Sequence, residues 1–336
     1  MSLWPSLLET ARRAPSPHNV QPWRVRLLAD GSADLLIEKR RTLPAEDITG
    51  SFIILTMGLF IEALSVLAAN RSHRLAFELF EEPARYTADR INASGAELLP
   101  FARLRLDRDE SVSPEYDDAL FLKRRTSRLS FEPAPVPEEA AHALAEMAAR
   151  RNQRYAQFTD PALVERVLAR NTDALFEDLN ARGYHDEIVE WFRFSSRSAA
   201  ETRDGLDFRC MNSSRAAFWM AARFPRLLQT PLARPVLRRV YRRQLGTVPT
   251  LGLLAGAFWR PEDAFETGRF LLRFWLELAR RRLYMHPYGN LVTNHAAAEW
   301  CLKEFGVADI WLVFKIGYSR EPPESFRREV GKILVD

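Results

Sequence analysis

A short segment near the N-terminus concentrates side chains that could grip a flat polar ligand. Residues 14–23 read Ala-Pro-Ser-Pro-His-Asn-Val-Gln-Pro-Trp, with three prolines, a hydroxyl and two amides in ten positions. Prolines fix φ and remove N–H donors, so the segment is predicted to be a stiff loop and not a helix or central strand. A stiff loop has its polar groups ordered before a ligand binds. An ordinary proline-rich turn at the end of a sheet is the alternative.

Two arginine clusters could bind a phosphate group. Arg124, Arg125 and Arg128 surround Thr126 within five residues, and Arg327-Arg328 lies near the C-terminus. Guanidinium groups match phosphate oxygens with paired hydrogen bonds, and a hydroxyl can complete the shell. Either cluster alone is also typical of a solvated surface. Phosphate sites are often assembled from distant segments, so the two clusters together favour a ligand.

A second loop in the same half of the chain is predicted at Met285-His-Pro-Tyr-Gly-Asn290. Gly289 in this loop permits a close backbone approach. His18 and His286 could act as acids or bases, but a histidine in such a loop more often makes a structural hydrogen bond.

The composition is typical of a globular protein, and its charge balance suits a small anionic ligand. Of the 336 residues, 47% are hydrophobic and 27% are charged, and the net charge is only +4. This surplus does not by itself indicate nucleic acid. The arginines of segment 238–243 form a basic helix face, for which nucleic-acid binding is the alternative to plain solvation. Cys210 and Cys301 offer neither a disulfide framework nor a metal site, so we expect a metal-free cytoplasmic protein.

One segment, Phe52 to Ala69, reaches the length of a membrane span with Glu62 as its sole charge. It lacks flanking aromatic belts and a clear Lys/Arg asymmetry, so we predict a buried interface helix and no membrane partner. Glu9, Arg12 and Arg13 interrupt the N-terminus before an adequate apolar region develops, so we expect no signal peptide.

The elements that position these residues predict an α+β protein. Strands are predicted on both sides of an Asp30-Gly31 turn, and a central strand is predicted at 309–317 because that run is almost continuously apolar. Helical spacing and end signals predict helices at 3–13, 51–70, 138–151, from Pro161 to about Gly183, from Pro261 to about Leu283, and 294–306.

These motifs resemble the nitroreductase superfamily of FMN flavoproteins. Pro15-Ser-Pro-His-Asn19 with Gln21-Pro-Trp23 is similar to its P-S-x-x-N-x-Q-P-W loop, especially in the Acg-like branch. Arg124-Arg-Thr-Ser-Arg128 resembles the R-R-S-x-R-x-F phosphate motif, with one extra residue before Phe131. Segment 285–290, with the helix and strand after it, resembles the C-terminal flavin loop. Ser325-Phe-Arg-Arg-Glu-Val330 resembles a tail usually written S-x-R-x-P-L, with Glu329-Val330 replacing Pro-Leu.

The resemblance implies an FMN site and a role for each motif. The phosphate would be held by Arg124, Arg125 and Thr126, with Arg327 or Arg328. Arg128 would lie near the N1 and C2 carbonyl edge, where a cation stabilises the negative charge of the reduced flavin. The ring would lie against Pro287, Tyr288 and Gly289, with a backbone N–H of that loop directed at N5. The ribityl chain and polar ring atoms would contact Pro15, Ser16, Pro17, Asn19 and Gln21.

The order of the motifs implies a fused pseudo-dimer of two related halves. In ordinary nitroreductases the arginine motif precedes the loop, whereas here the loop comes about a hundred residues earlier. Residues 1–115 would supply the loop, and residues 116–336 the arginines, the N5 loop and the C-terminal arm. One FMN would lie between the halves of a monomer, and a homodimer is the alternative.

The resemblance further implies an FMN-dependent oxidoreductase that reduces an electron-poor or conjugated small molecule, with NAD(P)H as the transient electron donor. The flavin carries the hydride chemistry, so no protein nucleophile is needed. A protein that binds or sequesters FMN without turnover is the alternative.

Overall fold

Two sheets, built from different parts of the chain, form the frame of the fold. The computed structural model describes residues 2–336. In chain order its strands are β1 (Trp23–Leu27), β2 (Ala33–Glu38), β3 (His73–Leu79), β4 (Leu98–Arg108), β5 (Gln153–Phe158), β6 (Phe192–Arg193), β7 (Leu206–Asp207), β8 (Thr250–Gly256), β9 (Tyr284–Pro287), β10 (Ile310–Gly317) and β11 (Leu334–Val335).

Helices pack on both sheets and fill the connections between strands. They are α1 (Trp4–Ala11), α2 (Ser51–Ala69), α3 (Ala88–Ala93), α4 (Asp118–Lys123), α5 (Glu138–Ala149), α6 (Pro161–Asn180), α7 (Arg182–Glu190), α8 (Ser196–Thr202), α9 (Arg215–Arg223), α10 (Ala233–Leu245), α11 (Pro261–Arg280), α12 (Asn290–Thr293), α13 (His295–Phe305) and α14 (Val330–Ile333). The predicted α+β class, with mixed and antiparallel sheets, is confirmed.

The first sheet has the order β11-β1-β2-β4-β3. Its predicted hairpin β1–β2 turns at Asp30-Gly31, where Gly31 has φ +84°. β3 was not predicted; it pairs antiparallel with β4 along its whole length. The last strand, β11, returns from the C-terminus and pairs parallel with β1. The chain therefore crosses back to the first sheet after completing the second.

The second sheet is antiparallel, with the order β5-β8-β10-β9. The prediction of a central strand at 309–317 is confirmed, because β10 lies between two neighbours and all its residues are buried. The prediction of a loop over 285–290 is wrong for its first part. Residues 284–287 form the edge strand β9, and Pro287 ends it, where a missing N–H costs little pairing.

The apolar helix α2 packs against α11, as expected for a buried helix. It is long and apolar enough to span a membrane, but 83% of its most apolar window is buried inside the protein. Gly58 and Gly268 bring the two backbones together, since an added Cβ would lie 2.2 Å from the Phe265 carbonyl oxygen or 2.1 Å from that of Leu55. The sole charge of α2, Glu62, is ion-paired with arginines of α11.

Residues 161–245 form a helical insert between β5 and β8 that contains α6 to α10. α6 begins at Pro161, as predicted, and the Asp160 carboxylate caps its start. The prediction that Gly183 ends this helix is wrong. α6 ends at Asn180 because Ala181 is extended, and Gly183 lies inside α7. The insert has its own apolar cluster, which includes Phe176, Phe192 and Phe218.

Candidate ligand-binding site

A cavity of about 440 Å³ lies where the opening loop, both arginine segments and the helical insert meet. This volume is within the usual range for small-molecule sites. Of the residues predicted from the sequence, the cavity is lined by Pro15, Ser16, Pro17, Asn19, Arg124, Arg125, Thr126, Arg128, Pro287, Tyr288, Gly289 and Arg327. Segments more than a hundred residues apart in the chain thus share one space.

Gln21 and Arg328, which the resemblance also placed at the ligand, lie outside this lining and are bound by protein groups. The Arg328 guanidinium donates to the Glu38 carboxylate at 2.9 Å and to the Gln21 and Trp23 carbonyls at 2.6 and 3.0 Å. The Gln21 amide oxygen accepts from the Arg328 backbone N–H at 2.9 Å. Of the two adjacent arginines, Arg327 is the one that faces the cavity.

The opening loop is held rigidly in an unusual backbone conformation. His18, Asn19 and Gln21 all have positive φ, at 45°, 57° and 53°, a region that non-glycine residues seldom occupy. The Asn19 side-chain amide donates to the carbonyls of Gly205 at 3.2 Å and Phe326 at 3.1 Å, and its oxygen is buried without a partner. These bonds fasten the loop to the insert and to the C-terminal tail.

A group of buried arginines forms one end of the cavity. The Arg124 guanidinium donates to the Arg13 carbonyl at 2.9 Å, and Arg327 donates to the Phe326 carbonyl at 3.0 Å. Both have an Nε–H with no partner. Burial, together with neighbouring guanidinium groups, lowers the pKa of each to about 9. Both remain charged at neutral pH, so this end of the cavity holds two buried guanidinium charges.

A carboxylate from the C-terminal tail covers the outer side of this arginine group. Glu324 is ion-paired with Arg13 and lies 3.4 Å from Arg125, which is also paired with Glu321 at 2.6 Å. Arg124 and Arg327 have no carboxylate partner among residues 2–336. Arg124 and Arg327 are the more deeply buried members of the group. An incoming anion would therefore balance the charge of these two residues.

Arg128 and His286 lie at the junction between the arginine group and the insert. The Arg128 guanidinium donates to the Cys210 carbonyl at 3.3 Å and leaves its Nε–H without a partner. Burial, Arg128 and Lys315 lower the pKa of His286 well below its usual value, so this imidazole is neutral. Its Nδ1 also has no partner. Two unpaired polar atoms thus border the same part of the cavity.

An acidic group lies beside the opening loop, and sequence reasoning did not identify it. His18 Nε2 contacts the Glu46 carboxylate. Burial opposes protonation of His18, but Glu46 outweighs it and the pKa of His18 is raised. The Asp47 carboxylate accepts from the backbone N–H groups of Phe52 and Ile53, at the start of α2, and burial raises its pKa to about 6. His18 therefore contacts another protein side chain, as we expected for a histidine in a loop of this kind.

The insert supplies an apolar wall, which was also not predicted. Phe176, Ile188, Phe192, Phe218 and Leu237 line the cavity and belong to, or pack on, the insert's own apolar cluster. Their helical spacing was visible in the sequence, but nothing local showed that they face a ligand space rather than a closed core. Arg13 could have been anticipated, because it directly precedes the opening loop.

Comparisons with known proteins point in the same direction as the motifs. No family model matches the sequence. A protein of Mycobacterium tuberculosis, provisionally named as an NAD(P)H nitroreductase, is 26% identical over 203 residues, which cover 59% of this chain and 54% of that protein. The chain is thus similar to about half the length of this relative. PigM of Serratia, with the same kind of provisional name, is 25% identical over 308 residues, covering 88% of this chain and 82% of PigM.

In sequence, the chain is similar to NAD(P)H nitroreductases. Among solved structures, the FMN-dependent nitroreductase NfnB from Mycobacterium smegmatis, in complex with NADPH, aligns with 62% of this chain and 93% of its own, at 17% identity and a TM-score of 0.37. A nitroreductase-like protein from Bacillus cereus aligns with 62% of this chain and 88% of its own, at 15% identity and a TM-score of 0.36.

Proposed function

We propose that this protein is an FMN-dependent oxidoreductase of the nitroreductase superfamily. In this proposal it reduces an electron-poor or conjugated small molecule and takes its electrons from NAD(P)H. The observation that carries the proposal is the buried pair Arg124 and Arg327. Both lack an anionic partner, and both face a cavity that the opening loop also lines. The sequence similarity to proteins named as NAD(P)H nitroreductases supports the same assignment.

The arginine end of the cavity fits a phosphate group. Two guanidinium groups with unpaired Nε–H donors match phosphate oxygens in geometry and charge. Thr126, which also lines the cavity, offers a hydroxyl. In this proposal the FMN phosphate is held by Arg124, Arg125, Thr126 and Arg327. Glu324 either moves away from the arginines or stays at the rim of the cavity.

The rest of the lining offers the mixture of donors and acceptors that the edge of a flavin ring needs. The Asn19 amide oxygen is an unpaired acceptor, and the Arg128 Nε–H is an unpaired donor. The backbone N–H of Gly289 has no hydrogen-bond partner among the described residues. When bound, FMN supplies the hydride chemistry. Arg128 then contributes a fixed positive charge at the N1 and C2 carbonyl edge, and the Gly289 N–H is available to N5.

The remaining residues orient the ligand and exclude water. Pro15, Pro17, Pro287 and Tyr288 provide flat, rigid walls, and the neutral His286 places no additional positive charge beside Arg128. The apolar side chains of the insert line another part of the cavity. An apolar cover favours a flat, weakly hydrated small-molecule substrate over a nucleic acid or a protein.

We also propose that the chain is a fused pseudo-dimer with one FMN between residues 1–115 and 116–336. Each part has its own sheet, and the central helices α2 and α11 pack on each other. The connection at 109–117 contains neither helix nor strand. β11, from the C-terminal part, pairs with β1 and so links residues 116–336 to the first sheet. In this arrangement a monomer is complete, and we place it in the cytoplasm.

A second function, binding of FMN without turnover, is favoured by one feature. The helical insert lies over the cavity and is fastened to the opening loop through the bond from Asn19 to Gly205. A closed cover would retain FMN and would also keep NAD(P)H away from it.

Rapid mixing of the FMN-loaded protein with NADPH or NADH separates the two functions. An oxidoreductase loses the visible absorbance of its flavin within a turnover time, and the absorbance returns when an electron-poor quinone or nitroaromatic compound is added. If the flavin stays oxidised with both donors while dithionite reduces it, the oxidoreductase proposal fails and the retention function replaces it.

A further inference from the structure

The outer surface of the insert combines exposed apolar side chains with arginines. On α9 the exposed positions are Arg215, Ala216, Trp219, Met220 and Arg223. On α10 they are Pro235, Val236, Arg239, Val240 and Arg243. Both sets have the same spacing, which places them along one stripe of each helix. We call these two stripes, with the exposed residues Phe224, Arg226, Leu227 and Leu232 of the connection between them, the arginine–apolar face.

The apolar side chains of this face are unusually exposed. Trp219 is 48% exposed, Phe224 47% and Leu232 91%. Trp219 and Phe224 pack edge to face, with ring centroids 5.6 Å apart, and this contact leaves both rings half in water. Single exposed apolar residues are normal on a protein surface, but a succession of them along one segment marks an interaction site.

The charge of the segment is strongly one-sided. Residues 215–245 contain eight arginines and no aspartate or glutamate. Asp173 and Glu165 of α6 pair with three of them. The other arginines are exposed and form no ion pair among residues 2–336; they are Arg215, Arg223, Arg226, Arg239 and Arg243. The face is therefore both apolar and positively charged.

We propose that the arginine–apolar face docks the protein on anionic lipid membranes. Exposed Trp, Phe, Leu and Val side chains enter the boundary between lipid headgroups and acyl chains, and arginines beside them bind anionic headgroups. A nucleic acid would use the arginines but would leave aliphatic groups such as Leu232 in water. A second copy of the chain would bring two positively charged faces together, which like-charge repulsion opposes.

Docking at this face would place the cavity next to the lipid. The inward side chains of the same helices, Phe218 and Leu237, line the cavity, and Val240 is both half exposed and part of the lining. A membrane-dissolved apolar molecule would then have a short path to the site. The docking itself does not depend on the cofactor or on the redox function.

Flotation of the full-length protein with vesicles tests the proposal. Vesicles of phosphatidylcholine containing about a third phosphatidylglycerol should retain the protein, and pure phosphatidylcholine vesicles should not. Because each surface arginine contributes about fivefold to binding of an anionic bilayer, the double variant Arg223→Gln with Arg226→Gln should bind roughly 25-fold more weakly. Leu232→Ser should also weaken retention.

Matched substitutions elsewhere serve as controls. Arg90→Gln with Arg105→Gln removes two exposed arginines from the first-sheet region, and Leu302→Ser removes a leucine of α13 that is 50% exposed. Neither control should change retention. Equal retention on neutral vesicles, or none on anionic ones, would overturn the proposal. So would a dimer that Leu232→Ser dissociates, or RNA binding by the same arginines without vesicle retention.

Discussion

The guanidinium carbon of Arg124 lies 4.7 Å from the centroid of the Trp275 ring. This contact joins the arginine segment 124–128 to α11, the helix that packs against α2. The ring face stabilises the cation and leaves the Arg124 Nε–H without a hydrogen-bond partner. The central helix pair thus positions one of the residues to which we assign anion binding.

Replacing Trp275 tests whether this contact positions Arg124. We expect Trp275→Leu to weaken FMN binding by about threefold to tenfold, because a cation–π contact contributes roughly 0.5–1.5 kcal/mol. Isothermal titration of the apoprotein with FMN gives the affinity. An unchanged affinity in a well-folded variant would show that Arg124 needs no support from the ring.

Arg327 and Arg328 should respond differently to the same change. Arg327→Gln should weaken FMN binding roughly 10- to 100-fold, because one charge-assisted hydrogen bond contributes about 1.5–3 kcal/mol, and should leave the melting temperature nearly unchanged. Arg328→Gln should lower the free energy of unfolding by about 3 kcal/mol, since it breaks the buried pair with Glu38, and should preserve affinity in the folded fraction. The reverse pattern would assign the phosphate to Arg328.

Glu324 should compete with anions for the arginine group. Its carboxylate pairs with Arg13 and lies within reach of Arg125. We therefore expect Glu324→Gln to bind FMN and inorganic phosphate severalfold more tightly than the natural protein. Glu132→Gln, at an exposed position of the same charge type, is the matched control. Weaker binding in Glu324→Gln would mean that the carboxylate orders the arginines instead.

The two glycines between α2 and α11 should be intolerant of a methyl group. Gly58→Ala would place a Cβ 2.2 Å from the Phe265 carbonyl oxygen, so we expect a loss of at least about 1–3 kcal/mol in the free energy of unfolding. Gly183→Ala, with no atom within 4 Å of the new Cβ, should be neutral or stabilising by up to about 1 kcal/mol. Urea denaturation monitored by circular dichroism measures both, and equal effects would contradict the close packing.

Lys315 should make stability depend on pH above neutrality. Its ammonium group is fully buried and donates to the Leu129 and Leu245 carbonyls at 2.7 and 2.9 Å. Burial, Arg128 and Arg242 lower its pKa to about 7, so the unfolded chain binds this proton more tightly than the folded protein between that pH and 10.5. The contribution of this titration to the free energy of unfolding is therefore complete above pH 10.5 and is lost as the pH falls through 7.

Denaturation of the natural protein and of Lys315→Met over this pH range tests the titration. The natural protein should gain stability relative to the variant as the pH rises from about 7 to about 9. If the difference in free energy of unfolding between the two proteins stays constant with pH, Lys315 has an ordinary pKa in the folded protein.

Local signals in the sequence were sufficient for many elements. Asn294 caps α13 through its side chain, and Gly306 ends that helix in the left-handed conformation, as the sequence predicts. The apolar run at 309–317 identified β10 because a strand with two neighbours must be buried on both faces. β3 and β5 were missed, since each has several polar positions and is defined by its pairing partner.

The site could be predicted only in part, for a physical reason. The prolines and arginines marked the segments, but the orientation of adjacent side chains depends on backbone register, so Arg327 and Arg328 could not be distinguished. The partners Trp275, Glu46 and Glu324 come from distant segments, and only the folded chain brings them together. The apolar wall of the insert looks the same in sequence as a closed helical core.

Stoichiometric titration with FMN tests whether each chain holds one flavin at the arginine group. The protein is stripped of any bound flavin, titrated with FMN while the flavin fluorescence is recorded, and its mass is measured by light scattering. We predict saturation at one FMN per chain in a monomer, with weaker binding in Arg124→Gln and Arg327→Gln. A protein that binds no FMN, or binds it equally well in both variants, would contradict an FMN site at Arg124 and Arg327.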